Sequence, residues 1–191
     1  MDAMEMLLGR RSAVRLQPPG PDEAALRAML ESAMRAPDHG RLRPWHFVVV
    51  PENRRERFGE LLADSLRRRE PDASDEALRR EREKALRAPM IVVVAARLRR
   101  GHKIPEVEQL LSAGAAATNI MLAARAQGFG AMWKTGSPAH DPAVRHALGL
   151  DPDSEIVGFL YVGTEPAQAP SPPGGALADH VSIWSGDAAP A

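Results

Sequence analysis

Apolar residues recur at helical spacing in several stretches of the chain, and other stretches are continuously apolar. The helical pattern predicts helices over residues 2–9, from 21 to 37, in two pieces between 54 and 87, over 106–127 and from 141 to 149. The apolar runs predict strands over residues 46–50, 90–95, 130–134 and 156–162. Long helices combined with a few short strands indicate an α+β domain in which helices cover a central sheet.

Residues at the ends of these stretches support the helices. Asp2 is a suitable N-cap with Glu5 as its capping-box partner, Pro37 is expected to end the second helix, and Gly128 occupies the position of a C-cap glycine. The charged region between 54 and 87 should form solvated amphipathic helices. We expect its leucines to lie underneath, at Leu61, Leu62, Leu66, Leu78 and Leu86.

The middle of the longest helix, residues 112–118, is made of small and nearly uncharged residues. Small side chains allow another helix to approach closely, so we expect this helix to be central and buried. They also supply little bulk for the core of a single subunit, and two-fold dimers are the commonest soluble oligomers. The pattern therefore predicts that this segment packs against a second copy of the chain.

Composition excludes several classes of function. The 191 residues suffice for one domain, and 25 basic residues balance 25 acidic ones, which disfavours nucleic acid as a partner. The chain has no cysteine, which excludes disulfides and favours a cytoplasmic location. No apolar run approaches the length of about 20 residues that spans a bilayer, so we expect no membrane insertion. The six histidines show no metal-binding spacing, so no metal site is expected.

Arg10, Arg11 and Ser12 directly follow the first helix. Guanidiniums offer a planar fork of donors to phosphate oxygens, and a hydroxyl adds one more donor. The cluster therefore indicates a site for a phosphomonoester, as in a phosphorylated cofactor. Arginine at a helix end also interacts favourably with the helix dipole, and the cluster alone leaves this structural explanation open.

Two further segments complete a recognisable set: residues 34–47, which include Ala36-Pro37 and Pro44-Trp45, and residues 126–134 around Gly128. Together with Arg10-Arg11-Ser12 they resemble the FMN-dependent nitroreductase family, most of all its short bacterial members, which are named NAD(P)H nitroreductases. The glycines at 128 and 130 do not form a dinucleotide-binding loop, because they follow a helix and precede a strand.

The resemblance implies a nitroreductase-like FMN-binding domain over residues 1–165 and an intertwined homodimer with FMN at the interface. The remaining residues, 166–191, would be a Pro-, Gly- and Ala-rich tail that docks on the domain or on the partner subunit. Its implied FMN contacts are Arg10, Arg11, Ser12, Arg35, His39, Trp133, Lys134 and Thr135. Its implied NAD(P)H contacts are Ala123, Ala124, Arg125, Ala126, Gln127 and Gly128.

The resemblance also implies a role for several of these residues. Arg10 and Ser12 would hold the phosphate, with Arg11 helping them or facing the partner subunit. The loop with Arg35 and His39 would reach the flavin of the other subunit. Lys134 has a physical rationale as well, because a cation stabilises the negative charge of a reduced flavin near N1 and O2.

The implied activity is hydride transfer from NADH or NADPH through FMN to an electron-poor acceptor, such as a nitroaromatic or a quinone, by a ping-pong mechanism. No side chain is expected to act as a catalytic nucleophile or base, since the cofactor carries the chemistry. Two alternatives stay open: a flavin dehydrogenase or dehalogenase of the same fold, and a non-enzymatic flavin-binding or storage protein. The loop departs from the family pattern, because Arg41 and Arg43 replace the usual Asn and Gln. This added positive charge would alter which molecules stack over the flavin.

Overall fold

The computed structural model describes residues 2–167, 175–184 and 186. Within them the α-helices are α1 (Ala3–Leu8), α2 (Glu23–Ala33), α3 (Arg55–Arg69), α4 (Asp75–Glu83), α5 (Glu106–Ala126) and α6 (Pro142–Ala147). The strands are β1 (Trp45–Val50), β2 (Met90–Arg97), β3 (Gly130–Lys134) and β4 (Ser154–Gly163). Short 3₁₀ turns lie at His39–Arg41, Glu52–Arg54, Lys84–Leu86, Ser137–His140 and Leu177–His180.

The first helix begins at its predicted cap. The carboxylate of Asp2 accepts a hydrogen bond from the backbone N–H of Met4 at 3.2 Å and thereby begins α1. The second helix ends at Ala33, earlier than the predicted stop at Pro37. The backbone N–H groups of Arg35 and Ala36 bond back over only three residues, so a tight turn ends the helix before the proline can do so.

The four strands form one antiparallel sheet in the order β1-β2-β4-β3. Residues 91–96 of β2 are fully buried, which confirms the prediction of a strand covered on both faces. Because side chains alternate along a strand, Ile91 and Val93 belong to one core, and Val92 and Val94 to the other.

Helices cover both faces of the sheet. The first core lies beneath α3 and α6, and α4 packs outside α3. The second core lies beneath α5 and α2. These layers confirm the expected helix-covered α+β architecture.

The small residues of α5 divide between two faces of the helix. Ala113, Ala116 and Ala117 are completely buried against α2 and the sheet, which confirms the predicted central, buried helix. These alanines allow α2 to approach α5 so closely that Ser32 and Asn119 exchange hydrogen bonds at 3.0 and 3.2 Å. Gly114, Ala115 and Thr118 are half-buried or exposed, and the expectation that this segment packs against a second copy stays a prediction.

Several large apolar side chains are exposed in the isolated chain. Leu86 is 48 % exposed, so the prediction that it lies beneath its helix is wrong, whereas Leu62, Leu66 and Leu78 are buried as expected. Other exposed apolar residues lie on α1, on α5 and in the tail: Met4, Leu7, Leu8, Val107, Leu111, Leu177, Val181, Ile183 and Trp184. None of the helices in the described part of the chain is long and apolar enough to cross a membrane.

Candidate active site

Three arginines from two distant parts of the sequence meet beside the start of β3. Arg10 and Arg11, after α1, and Arg125, from the last turn of α5, line a cleft of about 140 Å³. Gly128 brings the chain to this cleft. Its φ of +85° ends α5 with hydrogen bonds from residues 128 and 129 back to the helix, and the chain then enters β3.

Arg11 is turned into its own subunit. Its Nη1 lies 2.6 Å from Oε2 of Glu165, and the two side chains are only 7 % and 16 % exposed. Among the described residues, Glu165 is the one carboxylate that lines the cleft, so the three guanidiniums leave it with a positive charge. Arg10 lines the cleft and is exposed to solvent, and Ser12, two residues further along the chain, is exposed as well.

Arg125 carries a polar atom with no partner. Its Nε is buried and has no hydrogen-bond acceptor among the described residues. The guanidinium packs so closely against Gly9 that a Cβ at that position would overlap it. A buried donor that lacks an acceptor is costly, and an anion in the cleft would satisfy it. The donor set therefore fits a phosphate group.

A second cationic cavity, of about 320 Å³, lies at the other end of β3. Lys134 and Thr135 line it, as do three basic residues that sequence reasoning missed, Arg69, Lys84 and Arg87. The sequence around these three residues predicts only solvated, charged helices. The positions contribute to one cavity only because α3, the turn after α4 and the end of β3 converge in the fold.

Two buried side chains also line this second cavity: Glu81, which is ion-paired, and Tyr161, which is neutral. Glu81 forms an ion pair with Lys84. Burial raises the pKa of Tyr161 to about 12. The tyrosine hydroxyl therefore stays protonated at neutral pH and can donate a hydrogen bond.

An open strand edge joins the two cavities. The carbonyl oxygen of Ala131 accepts a bond from the N–H of Ala13 at 2.9 Å, so this residue directs its backbone polar groups away from β4. Because the strand repeats every two residues, Trp133 directs its N–H and C=O to the same edge. No strand in the described part of the chain pairs there beyond Ala13. The five residues of β3 span about 13 Å between the cavities.

The side chains of Trp133 and Lys134 point to opposite faces of the sheet. The indole of Trp133 packs over Gly158, where a Cβ would overlap the ring, and its Nε1 donates to the carbonyl oxygen of Val157 at 3.2 Å. Trp133 thus contributes its backbone to the open edge between the two cavities. Lys134 contributes to the lining of the second cavity.

Arg35 and His39 lie elsewhere in the same subunit, in the loop between α2 and β1. Neither lines the two cavities. His39 is 67 % exposed, and its Nδ1 lies 2.6 Å from Oε2 of Glu108 on α5. Ser112 of α5 donates a hydrogen bond of 2.7 Å to the carbonyl oxygen of Pro37, which fixes the base of the loop.

The loop itself has an unusual backbone. Gly40, Arg41 and Arg43 have φ values of +70°, +55° and +50°. Two non-glycine residues in the left-handed region cost roughly 1 kcal/mol each. The carboxylate of Asp38 stabilises this conformation by accepting bonds from the N–H groups of Leu42 at 3.1 Å and Arg43 at 2.7 Å.

A sequence model described as the nitroreductase family matches residues 7–164 of the chain. The chain belongs to the nitroreductase family. The match runs from α1 to the residue after β4 and so includes the second cavity, the first cavity except for Glu165, the open edge of β3 and the α2–β1 loop.

Individual nitroreductases agree with this assignment. The chain is 43 % identical over 169 residues to a protein of Escherichia coli (strain K12) that is provisionally named NAD(P)H nitroreductase YdjA, covering 88 % of this chain and 91 % of that one. A nitroreductase-like family protein from Bacillus cereus has the same fold, with a TM-score of 0.84, 21 % identity and 97 % of each chain covered. A provisionally named nitroreductase from Desulfovibrio desulfuricans, solved in complex with FMN, has a TM-score of 0.73 and 25 % identity over 95 % of each chain.

The six residues at the end of α5 that the family resemblance assigns to NAD(P)H differ in their access to the cleft. Arg125 and Gly128 line it. Ala124 is completely buried, so its side chain is not available to a ligand. The side-chain amide of Gln127 turns back and donates to the carbonyl oxygen of Ala123 at 3.1 Å. Arg125 and Gly128 are thus the members of this turn that line the cleft, whereas Ala126 and Gln127 are exposed outside it.

Proposed function

We propose that this nitroreductase binds FMN and passes hydride from NADH or NADPH to an electron-poor small molecule, such as a nitroaromatic or a quinone, by a ping-pong mechanism. One observation carries the proposal: two cationic cavities lie at the two ends of β3, and the edge of the strand between them is open. FMN has a phosphate at one end and a ring that gains negative charge on reduction at the other. The FMN in the related structure from Desulfovibrio desulfuricans supports this choice of flavin.

The phosphate belongs in the cleft beside α1. Arg10 lines this cleft and Ser12 is exposed nearby, so that both would be free to bind phosphate oxygens, and the buried Nε of Arg125 needs an acceptor. Arg11 keeps its ion pair with Glu165, and its guanidinium adds to the positive charge of the cleft. Charge-assisted hydrogen bonds of this kind are about twice as strong as neutral ones.

The flavin ring belongs at the far end of β3. Bound FMN supplies the hydride-accepting and hydride-donating chemistry of the reaction. The backbone edge at Trp133 and Thr135 would orient the ring through hydrogen bonds. Lys134, Lys84 and Arg87 would stabilise the negative charge that the ring acquires, and Tyr161 would remain a neutral donor beneath them.

We further propose a homodimer in which each site uses both chains. Val107 and Leu111 are 59 % and 68 % exposed on the outer face of α5, beside the loop that carries His39. Covering this face with a second subunit would bury both side chains. It would also bring Arg35 and His39 of the partner subunit to the flavin, which they do not approach in their own chain.

The tail, residues 166–191, would complete the same interface. In its described part Leu177, Val181, Ile183 and Trp184 are 54–94 % exposed on the single chain. Such large apolar side chains gain stability when they are buried, and we infer that they dock on the partner. The cysteine-free sequence supports a cytoplasmic site of action.

Steady-state oxidation of NADH and NADPH with a panel of nitroaromatic and quinone acceptors tests the activity. We expect oxidation that depends on the acceptor and on FMN loading, with parallel lines in double-reciprocal plots. A flavin-loaded protein that oxidises neither nucleotide with any acceptor would instead be a flavin-binding or storage protein, and the proposed activity would be wrong.

A further inference from the structure

We propose that Arg41 and Arg43 bind an anionic group, a carboxylate or a phosphate, on the small molecule that exchanges hydride with the flavin. This inference rests on the function proposed above, in which the α2–β1 loop borders the flavin site of the partner subunit. It adds the chemical class of the electron donor or acceptor and the two residues that select it.

The guanidiniums of Arg41 and Arg43 are exposed, and neither makes an ion pair or a side-chain hydrogen bond within the described ranges. Some exposed arginines of this protein are paired, such as Arg27 with Glu31 and Arg100 with Glu106, whereas others, such as Arg15 and Arg57, have no ion-pair partner among the described residues. The loop thus presents positive charge that its own subunit does not neutralise.

The carboxylates that touch the loop are already occupied. Both oxygens of Asp38 accept bonds from backbone N–H groups of the loop, and Glu108 pairs with His39. Arg35 also lacks a side-chain partner in the described part of the chain and adds a third positive charge to the same loop. A ligand anion at this loop would meet positive charge without having to displace a carboxylate.

The backbone conformation at these two positions does not favour arginine over other residues. Both residues adopt left-handed φ values, where glycine and asparagine are the favoured residues. Asp38 stabilises the conformation through backbone bonds only, and buried Leu42 and Trp45 fix the end of the loop. Neither arginine side chain takes part in this support. Their placement is therefore explained by what the guanidiniums bind, and a planar fork of donors matches a carboxylate or a phosphate.

A double variant, Arg41→Gln with Arg43→Gln, tests the inference, because glutamine is an unbranched polar residue that lacks the charge and, like arginine, is not a glycine at these left-handed positions. Two matched pairs of ligands distinguish the possible sources of the anion. The ratio of kcat/KM for NADPH to that for NADH measures recognition of the 2′-phosphate. The ratio of the Kd for benzamide to that for benzoate, followed by the visible spectrum of the oxidised flavin, measures recognition of a carboxylate without any turnover.

We expect at least one of these ratios to fall about tenfold in the double variant, as for the loss of a charge-assisted hydrogen bond. The Lys variants at the same positions should retain part of the preference. Arg80→Gln on α4, which removes one equally exposed charge far from the loop, should leave both ratios unchanged.

A fall in the nucleotide ratio would identify the electron donor as the anion that is recognised, and a fall in the aromatic ratio would identify the acceptor. Unchanged ratios in a double variant with full FMN content would overturn the inference. Failure of the proposed function is distinguishable, since the parent itself would then bind no flavin or oxidise neither nucleotide.

Discussion

Nη1 of Arg11 lies 2.6 Å from Oε2 of Glu165, although the two groups are not aligned as a hydrogen bond. This ion pair connects the segment after α1 to Glu165, which lies two residues beyond the end of β4. The connection places the end of α1 beside the start of β3, where the neighbouring residue Arg10 lines the cleft.

Removing one partner of this pair should destabilise the fold. Because both side chains are largely buried, Arg11→Met leaves the Glu165 carboxylate without its counter-charge, and we expect a loss of about 3 kcal/mol. The double variant Arg11→Met with Glu165→Leu should recover much of that loss. Urea unfolding of the four proteins of this cycle measures the coupling. A coupling energy near zero would mean that the pair does not hold the two segments together.

The role of Arg11 shows what the sequence could and could not reveal. The run Arg10-Arg11-Ser12 predicted a cationic site after the first helix, and the structure places two other arginines beside Arg10. The spacing could not show that Arg11 turns inward, because its partner Glu165 lies about 150 residues later and meets it only after the sheet has formed.

The single tyrosine of the chain permits a direct titration. Burial raises the pKa of Tyr161 to about 12, so tyrosinate absorbance should develop in this range in the native protein and near pH 10 in concentrated urea. The native state holds this proton more tightly than the unfolded state. Its contribution to stability is therefore complete below pH 10 and lost as the pH rises from 10 to 12. A native titration near pH 10 would place Tyr161 in contact with water.

Asp141 should contribute to stability in the opposite pH direction. Burial by itself would raise its pKa, but the Ser65 hydroxyl, the Arg68 guanidinium and the N–H of Ala143 together outweigh that effect and lower the pKa from 3.8. The stabilisation is present above this value and is lost as the pH falls through the native pKa.

Asp141→Asn tests this effect, because asparagine is an equally good N-cap for α6 and removes the titrating group together with its ion pair to Arg68. The urea midpoint of the parent should decrease more steeply than that of the variant below pH 4. Identical profiles would show that the carboxylate has no lowered pKa.

Two substitutions on α5 separate the core of the subunit from the proposed interface. Ala116 is completely buried and Leu111 is 68 % exposed. Ala116→Arg should therefore prevent folding, whereas Leu111→Arg should give a folded monomer that has lost FMN. Sedimentation velocity and far-ultraviolet circular dichroism distinguish these outcomes. A Leu111→Arg protein that remains a flavin-loaded dimer would contradict the shared site.

Local chemistry made much of the fold predictable. β3 was predicted over residues 130–134 and is found there, because a C-cap glycine ends α5 and an apolar run follows it. The cavity formed by Lys84, Arg87 and Tyr161 was not predictable. These residues come from separate elements, and a charged helical surface has the same sequence pattern whether or not it borders a cavity.

The flavin released by heat from the purified, reconstituted protein tests the central claim most directly. We predict one FMN per chain, because the cleft with Arg10, Ser12 and Arg125 suits a terminal phosphate, and we predict that Arg10→Ala weakens FMN binding about tenfold or more. Arg80→Ala, on the outer surface of α4, should bind FMN as the parent does. Release of FAD, no flavin after reconstitution, or an Arg10→Ala protein with unchanged FMN affinity would contradict the account.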